Sequence, residues 1–106
     1  MPELTREQKM EKIRANVEVY LVKNAKSCGL PITSLFVDEE RNHIIDIGTS
    51  IMANRLGIET YPGSFVKAIL DNDLYEAINR ADTVNRGAIT FYVTMMYNLG
   101  IPNLSE

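Results

Sequence analysis

The sequence is poor in cysteine and in long apolar stretches. Cys28 is the single cysteine among 106 residues, which excludes an internal disulfide and any metal site built from several cysteines. No uninterrupted apolar run is longer than Val19–Val22, whereas a membrane-spanning helix needs about 20 apolar residues. The first residues, Met-Pro-Glu-Leu-Thr-Arg-Glu, are polar and lack the apolar core of a signal peptide. We therefore expect a soluble, cytoplasmic protein.

The common signatures of catalysis are also missing. The sequence has no glycine-rich phosphate-binding loop and no nucleophile elbow, and His43 is its only histidine. Cys28 ends a stripe of apolar residues, which predicts a buried, inert thiol rather than a nucleophile. Because no complete catalytic set is present, we expect a binding protein without a cofactor rather than an enzyme.

Positive charge is in short supply and unevenly distributed. Eleven Lys and Arg against fourteen Asp and Glu give a net charge of −3. Residues 1–30 carry six basic and four acidic groups, whereas residues 31–106 carry five basic and ten acidic groups. Duplex nucleic acid is bound through Lys and Arg that neutralise its phosphates, so we do not expect it as a partner. The basic first part suits an acidic partner or the acidic remainder of a second copy.

The first helix has both a start and a stop signal. Thr5 and Gln8 have the spacing of a capping box, in which each side chain bonds to the backbone of the other residue. Gly29 and Pro31 predict that the helix ends near Cys28. Between these signals, apolar residues recur at steps of three and four, which indicates a helix. They are Met10, Ile13, Val17, Tyr20, Leu21, Ala25 and Cys28.

The stretch after the first helix is ambiguous. The β-branched and aromatic residues at 32–37 suit a short strand, which could pair in a hairpin over residues 33–47. We favour a helix from about Asp38 to Leu56, because three acidic residues stand at its positive N-terminus and the apolar residues keep a helical period until Gly57. The hairpin, and with it an α+β fold, stays open as the alternative.

Three further helices are predicted in the second half. A tyrosine-proline-glycine turn precedes a helix that Ser64 can cap, and a break is expected near Asn72. Asp73 and Asp82 are expected to cap two more helices. The last of these, from about Thr83 to Asn98 and ended by the following Gly-Ile-Pro, is apolar over most of its circumference, which is typical of a central helix or of one at a subunit interface.

These elements predict one all-α domain over residues 1–106, a small bundle of four or five helices. Forty-five per cent of the residues are apolar, which suffices for a core. Val19 and Val22 lie off the main stripe of the first helix and leave apolar surface for a second contact. Together with the apolar last helix, they predict a homo-oligomer.

The densest group of polar residues lies between positions 71 and 86. Arginine binds carboxylates and phosphates through paired hydrogen bonds, asparagine adds a neutral donor and acceptor, and the helix start at Asp82 offers free amides. We therefore predict that this patch contacts a protein partner or a small anionic ligand; the alternative is that its caps and an internal Arg–Asp pair only fix a helix junction. The predicted site residues are Asp73, Asn79, Arg80, Asp82, Asn85 and Arg86.

A weaker constellation lies on the predicted second helix. Glu39, His43 and Asp46 are spaced by four and three residues, which places them on one helix face. Two carboxylates and an imidazole so spaced suit a divalent metal ion, or a general base with an orienting carboxylate. The alternative is a solvent-exposed face on which the imidazole bonds to one of the two carboxylates.

Residues 43–58 also carry a family resemblance. His-Ile-Ile-Asp at 43–46, followed by Ala-Asn-Arg-Leu-Gly-Ile at 53–58, resembles the third-helix region of the MazG-type nucleoside triphosphate pyrophosphohydrolases. The resemblance implies an all-α, magnesium-dependent hydrolase. As a second hypothesis, Glu39, His43 and Asp46 would hold a divalent cation while Arg80 and Arg86 receive the phosphates of a nucleotide. The family's Glu-Glu-x-x-Glu motif is missing from the first helix, and a histidine stands at an acidic position. We therefore identify no family and keep nucleotide hydrolysis as the alternative function.

The principal interpretation is a small helical binding or regulatory protein. It acts by self-association and through the polar patch between residues 71 and 86. Small size and the lack of a complete catalytic set are common among small bacterial regulators and phage accessory proteins.

Overall fold

The computed structural model describes residues 4–98, and all regular secondary structure in that stretch is helical. The all-α class and the small bundle are therefore confirmed. The alternative hairpin over residues 33–47 is wrong, because this stretch forms a short helix and the first half of a long one. Seven helices are described: α1 (Arg6–Asn24), α2 (Thr33–Phe36), α3 (Asp38–Arg55), α4 (Ser64–Leu70), α5 (Leu74–Arg80), α6 (Thr83–Gly87) and α7 (Ile89–Asn98).

The structure describes two helices more than the five predicted. One of them is α2, which forms where the residue types favour a strand. A strand needs a neighbouring strand to pair its backbone groups, whereas a helical turn pairs its own. In α2 the amide of Val37 donates to the carbonyl of Thr33 at 2.8 Å, and Ser34 is buried against the bundle. Val37 is extended (φ −92°, ψ 112°) and separates α2 from α3.

The other additional helix arises because the predicted last helix is divided at Ala88. The amide of Ala88 donates to the carbonyl of Asn85, three residues back, at 3.0 Å, which tightens the turn and ends α6. Gly87 precedes the break, and glycine is a poor helix former because it loses the most backbone freedom on folding. The amide of Tyr92 then donates to the carbonyl of Ala88 at 3.0 Å in the first turn of α7.

Three helices end in the Schellman motif, in which a residue in the left-handed region follows the helix and the next amide bonds back five residues. The left-handed residues are Gly29, Gly57 and Asn72, with φ of 74°, 77° and 57°. The amides of Leu30, Ile58 and Asp73 donate to the carbonyls of Ala25, Ala53 and Ala68 at 3.0, 2.9 and 2.9 Å. The stops at Gly57 and Asn72 are confirmed, whereas α1 ends at Asn24, earlier than the predicted Ser27 or Cys28, and turns continue the chain to Gly29. The predicted stop at 100–102 lies outside the described residues.

Side-chain caps start α1, α5 and α6 as predicted. The Thr5 hydroxyl accepts from the amide of Gln8 at 3.1 Å and the Gln8 side chain accepts from the Thr5 amide at 2.9 Å, which completes the capping box. Asp73 and Asp82 each accept from the amide three residues further on, at 3.1 and 2.7 Å. The predicted cap of α4 is wrong, because Ser64 is itself the first helical residue and the glycine before it occupies the N-cap position.

The core is built around α3, against which α1 and α7 pack. The ring of Phe91 lies 5.9 Å from that of Tyr20 and 5.7 Å from that of Tyr92, so aromatic contacts join α7 to α1. Cys28 is buried, as predicted. No described helix is both long and apolar enough to cross a membrane. The largest fully buried side chains are Ile13, Val17, Leu21, Ile44, Ile45, Ile51, Phe91, Tyr92 and Met95.

Gly48 sets the distance between α3 and its neighbours. A Cβ placed on Gly48 would lie 2.8 Å from Cγ1 of Val17 and 3.6 Å from Cε of Met95. Because Val17 is fully buried and β-branched, its methyl group has no alternative position to move into. The absence of a side chain at this position therefore allows α1 to pack closely against α3, while Met95 of α7 lies at ordinary contact distance.

We predict that Gly48→Ala lowers the free energy of unfolding by about 1–3 kcal/mol, although alanine favours helix, because the added methyl group overpacks the site against Val17. Gly87→Ala is the matched control, since a Cβ there meets no described atom within 4 Å. Its free energy of unfolding should be unchanged or higher by up to about 1 kcal/mol. Urea unfolding measures both variants, and a Gly48→Ala variant as stable as the wild type would contradict this packing.

Candidate functional site

The structure divides the predicted polar patch between two places. Asp73 and Arg80 line an open depression between α4 and α5. Asp82 and Asn85 point instead towards α3 and α7, where they hydrogen-bond to other side chains. The six residues therefore do not form one site.

The depression between α4 and α5 contains matched charges. Lys67 pairs with Asp71, and Nε of Arg80 donates to Oε2 of Glu76 at 3.1 Å, so each cation bonds to a carboxylate one helical turn away. The hydrogen bond and the charge of Asp71 raise the pKa of Lys67. With Asp73, three carboxylates and two cations line the depression. An anionic ligand would have to displace two of these carboxylates, whereas a partner with both signs of charge could pair with all of them.

A chain of hydrogen bonds through Asp82 connects three helices. Oδ2 of Asp82 lies 2.7 Å from Nε2 of His43 on α3, while Oδ1 accepts from the amide of Asn85 at 2.7 Å. The side-chain oxygen of Asn85 accepts from the hydroxyl of Tyr92 on α7, also at 2.7 Å. Asp82 thus caps α6 and holds it on α3, and Asn85 holds α6 on α7 across the break between them.

Tyr92 and Asn85 form the buried end of this chain. The ring of Tyr92 is fully buried, and Asn85 is buried with it. Burial raises the pKa of the Tyr92 phenol well above its ordinary value, and the nearby charge of Asp82 raises it further. The phenol therefore stays neutral and donates to the side-chain oxygen of Asn85, which would otherwise be buried without a hydrogen-bond donor. These contacts fit the alternative interpretation of Asp82 and Asn85 as residues that fix a helix junction.

The remaining two patch residues are exposed. A guanidinium nitrogen of Arg86 lies 3.5 Å from the carbonyl of Ile78, a long hydrogen bond that connects α6 to α5. Asn79 lies on the exposed side of α5. Neither arginine is locked onto a buried carboxylate within residues 4–98, because Arg80 bonds to the exposed Glu76 of its own helix and Arg86 to a backbone carbonyl. Both side chains stay exposed.

The three candidate metal ligands on α3 make separate contacts. Asp46 pairs with Arg14 of α1, and His43 bonds to Asp82 of α6. Glu39 lies exposed in the first turn of α3. Within residues 4–98, no group of three His, Cys, Asp or Glu side chains lies together in a way that could hold a metal ion. The structure therefore does not bring these side chains together, although two of them anchor α3 to its neighbours.

Sequence reasoning missed an apolar cleft next to the patch. Leu74 of α5 and Val93 of α7 both line it, and their exposed fractions are 61% and 48%. Asp73 forms part of its edge, and Ile78 is exposed one turn further along α5. The cleft has a volume of about 30 Å³, which is room for one water molecule. It is therefore an exposed apolar seam rather than a ligand pocket.

The signal for this surface was present but could not be interpreted from one helix at a time. Leu74 and Ile78 are four residues apart and share a face of α5. Ile89 and Val93 share a face of α7 in the same way. Which helix faces which is decided by the packing of both on α3 and α4, and the sequence pattern does not specify it.

Comparison with protein-family models, with curated proteins and with solved structures finds no match for this chain. Its function is therefore inferred from its own residues and their arrangement.

We predict that Asp82→Ala destabilises the protein more than Asp73→Ala. Both substitutions remove a helix cap, which costs about 1 kcal/mol, but only Asp82 also bonds to another helix through His43. The free energies of unfolding of the two variants should differ by about 1 kcal/mol, because the hydrogen bond to His43 involves the charged carboxylate of Asp82. Urea unfolding measures it, and the difference should vanish when both variants are made with His43→Ala. Equal losses in the wild-type background would refute the bond between α3 and α6.

Proposed function

We propose that this chain is a small helical binding protein that self-associates and contacts a protein partner through the α5–α7 surface. We define that surface by its exposed apolar residues Leu74, Ile78 and Val93 and by the charged residues around them. The observation that carries the proposal is the apolar seam between α5 and α7, because exposed apolar surface bordered by polar residues is typical of protein interaction sites.

The surroundings of the seam support a protein partner. Protein interfaces combine an apolar centre with a polar rim, and arginine is enriched in them. Here Asp73 lines the seam, Arg86 bonds to the carbonyl of Ile78, and Asn79 follows Ile78 on the exposed side of α5. Arg80 lines the neighbouring depression, which shares Asp73 with the seam. Asp82 and Asn85 contribute indirectly, because they hold α6 and its Arg86 against α3 and α7.

A protein partner is favoured over a small anionic ligand because of the local charge. Acidic side chains outnumber the cations in the depression next to the seam, and Lys67 and Arg80 already bond to two of them. A small anion would gain only exposed cations whose ion pairs it must first break. A protein surface gains the apolar contact as well.

Exposed apolar residues on α1 and α7 support self-association. Val19 and Val22 are exposed on α1, and Val93 and Tyr97 are exposed on α7. The two pairs lie on different helices, so one can contact a second copy while the other contacts a different partner. We infer that a second copy covers one of them.

The alternative function, a metal-dependent nucleotide hydrolase, gains no support from the arrangement of its candidate residues. It requires Glu39, His43 and Asp46 to share a cation, whereas the last two bond to Asp82 and Arg14. No other observation favours this function.

The proposal predicts that Val93→Asp and Arg86→Ala each reduce partner retention at least about fivefold, because one places a charge in the apolar centre and the other removes a rim contact. Asn42→Ala, at an exposed position of α3, is the control and should retain the partner. Native mass spectrometry of each variant purified from the cells that produce it reports both subunit number and retained molecules.

Two outcomes of this experiment would contradict the proposal. If the same molecule is retained equally by all variants, the α5–α7 surface does not bind it. If the wild-type chain is a monomer at high micromolar concentration in sedimentation equilibrium, the self-association is refuted.

A further inference from the structure

The solvent-exposed side of α1 carries its own apolar stripe. Ala15, Val19 and Val22 are exposed and are separated by four and three residues, which is the spacing of the seam positions of a coiled coil. The exposed fractions of Val19 and Val22 are 53% and 61%. The stripe lies opposite Ile13, Val17 and Leu21, through which α1 packs on the rest of the bundle. A second helix could therefore approach it without meeting α3 or α7.

Charged residues of opposite sign flank the two edges of this stripe. In the coiled-coil register set by Val19 and Val22, Glu11 and Glu18 occupy the edge before the seam, and Lys9 and Lys23 occupy the edge after it. Within residues 4–98, Glu18 and Lys23 have no hydrogen-bond or ion-pair partner on their side chains. Glu18 and Lys23 are five residues apart, the separation at which the two edges meet across parallel helices in register.

We propose that α1 pairs with α1 of a second copy, parallel and in register about a twofold axis. This rests on the self-association proposed above and names its surface. Val19 and Val22 of both copies form the seam, and Glu18 of each copy pairs with Lys23 of the other. The twofold axis forms this ion pair twice, once on each side of the seam.

The charges select the parallel orientation. In an antiparallel pair each edge meets the same edge of the second copy, so Glu18 would face the acidic edge and Lys23 the basic edge. Lys12 and Lys26 occupy the seam positions before Ala15 and after Val22, so the apolar seam is limited to Ala15, Val19 and Val22. We therefore expect a weak dimer, with a dissociation constant on the order of tens of micromolar.

A charge exchange tests this arrangement. Glu18→Lys places a lysine opposite Lys23 of the second copy on both sides of the seam, and Lys23→Glu places a glutamate opposite Glu18 there. Each variant should therefore raise the dissociation constant of the dimer about five- to tenfold in sedimentation velocity. The double variant Glu18→Lys/Lys23→Glu restores opposite charges across the axis and should restore dimerisation to within about twofold of the wild type. Circular dichroism verifies that each variant folds.

Cysteine cross-linking provides an independent test that does not depend on charge. Val22→Cys should form a disulfide-linked dimer under mild oxidation, because position 22 faces its own copy across the axis. Val93→Cys, on the α5–α7 surface, is the matched control and should stay monomeric on a non-reducing gel. Cys28 is buried and present in both variants.

The outcomes separate this inference from the proposed function. A wild-type dimer that is indifferent to the charge exchange, or that cross-links through position 93 rather than 22, overturns the α1 pairing and leaves self-association intact. A wild-type chain that stays monomeric at high micromolar concentration overturns both. Rescue by the double variant together with cross-linking through position 22 supports the α1 pairing.

Discussion

The structure depends on the close packing of α1 against α3 at Gly48. A Cβ at this position would lie 2.8 Å from Cγ1 of Val17, whereas Met95 of α7 would be at ordinary contact distance. Because Val17 and Met95 are both fully buried, α1, α3 and α7 form one tightly packed unit. The short helices are attached to this unit, and their positions follow from it.

The attachment of α6 explains why the polar patch is divided. The side chain of His43, in the first half of α3, bonds to Asp82, and the side chain of Tyr92 on α7 bonds to Asn85. Two of the polar residues are thereby used to hold the junction, while the arginines and the apolar residues of α5 and α7 stay exposed. Residues that hold the helix junction and residues that stay exposed therefore lie side by side in one short segment of sequence.

Local features of the fold were predictable because their signals are local. Thr5, Asp73 and Asp82 cap helices through amides three residues away, and Gly29 and Gly57 end helices in the left-handed conformation. Features that depend on distant residues were not predictable. His43 and Asp82 are 39 positions apart in sequence. Leu74 and Val93 line the same cleft only because separate helices pack on one core. The sequence therefore predicted a single site from six polar residues that are close in sequence but lie in different places in the fold.

The central claim, that the α1–α3–α7 unit determines the stability of the whole chain, is tested most directly by native-state hydrogen exchange. We predict that amides of α3 between Ile44 and Ala53 and of α7 between Phe91 and Met95 exchange only through global unfolding, with a free energy equal to that from urea unfolding. Amides of α2 and α5 should exchange through smaller openings, at least about tenfold faster. Equal protection of α5 and α3, or exchange of α3 through a local opening, would contradict the claim.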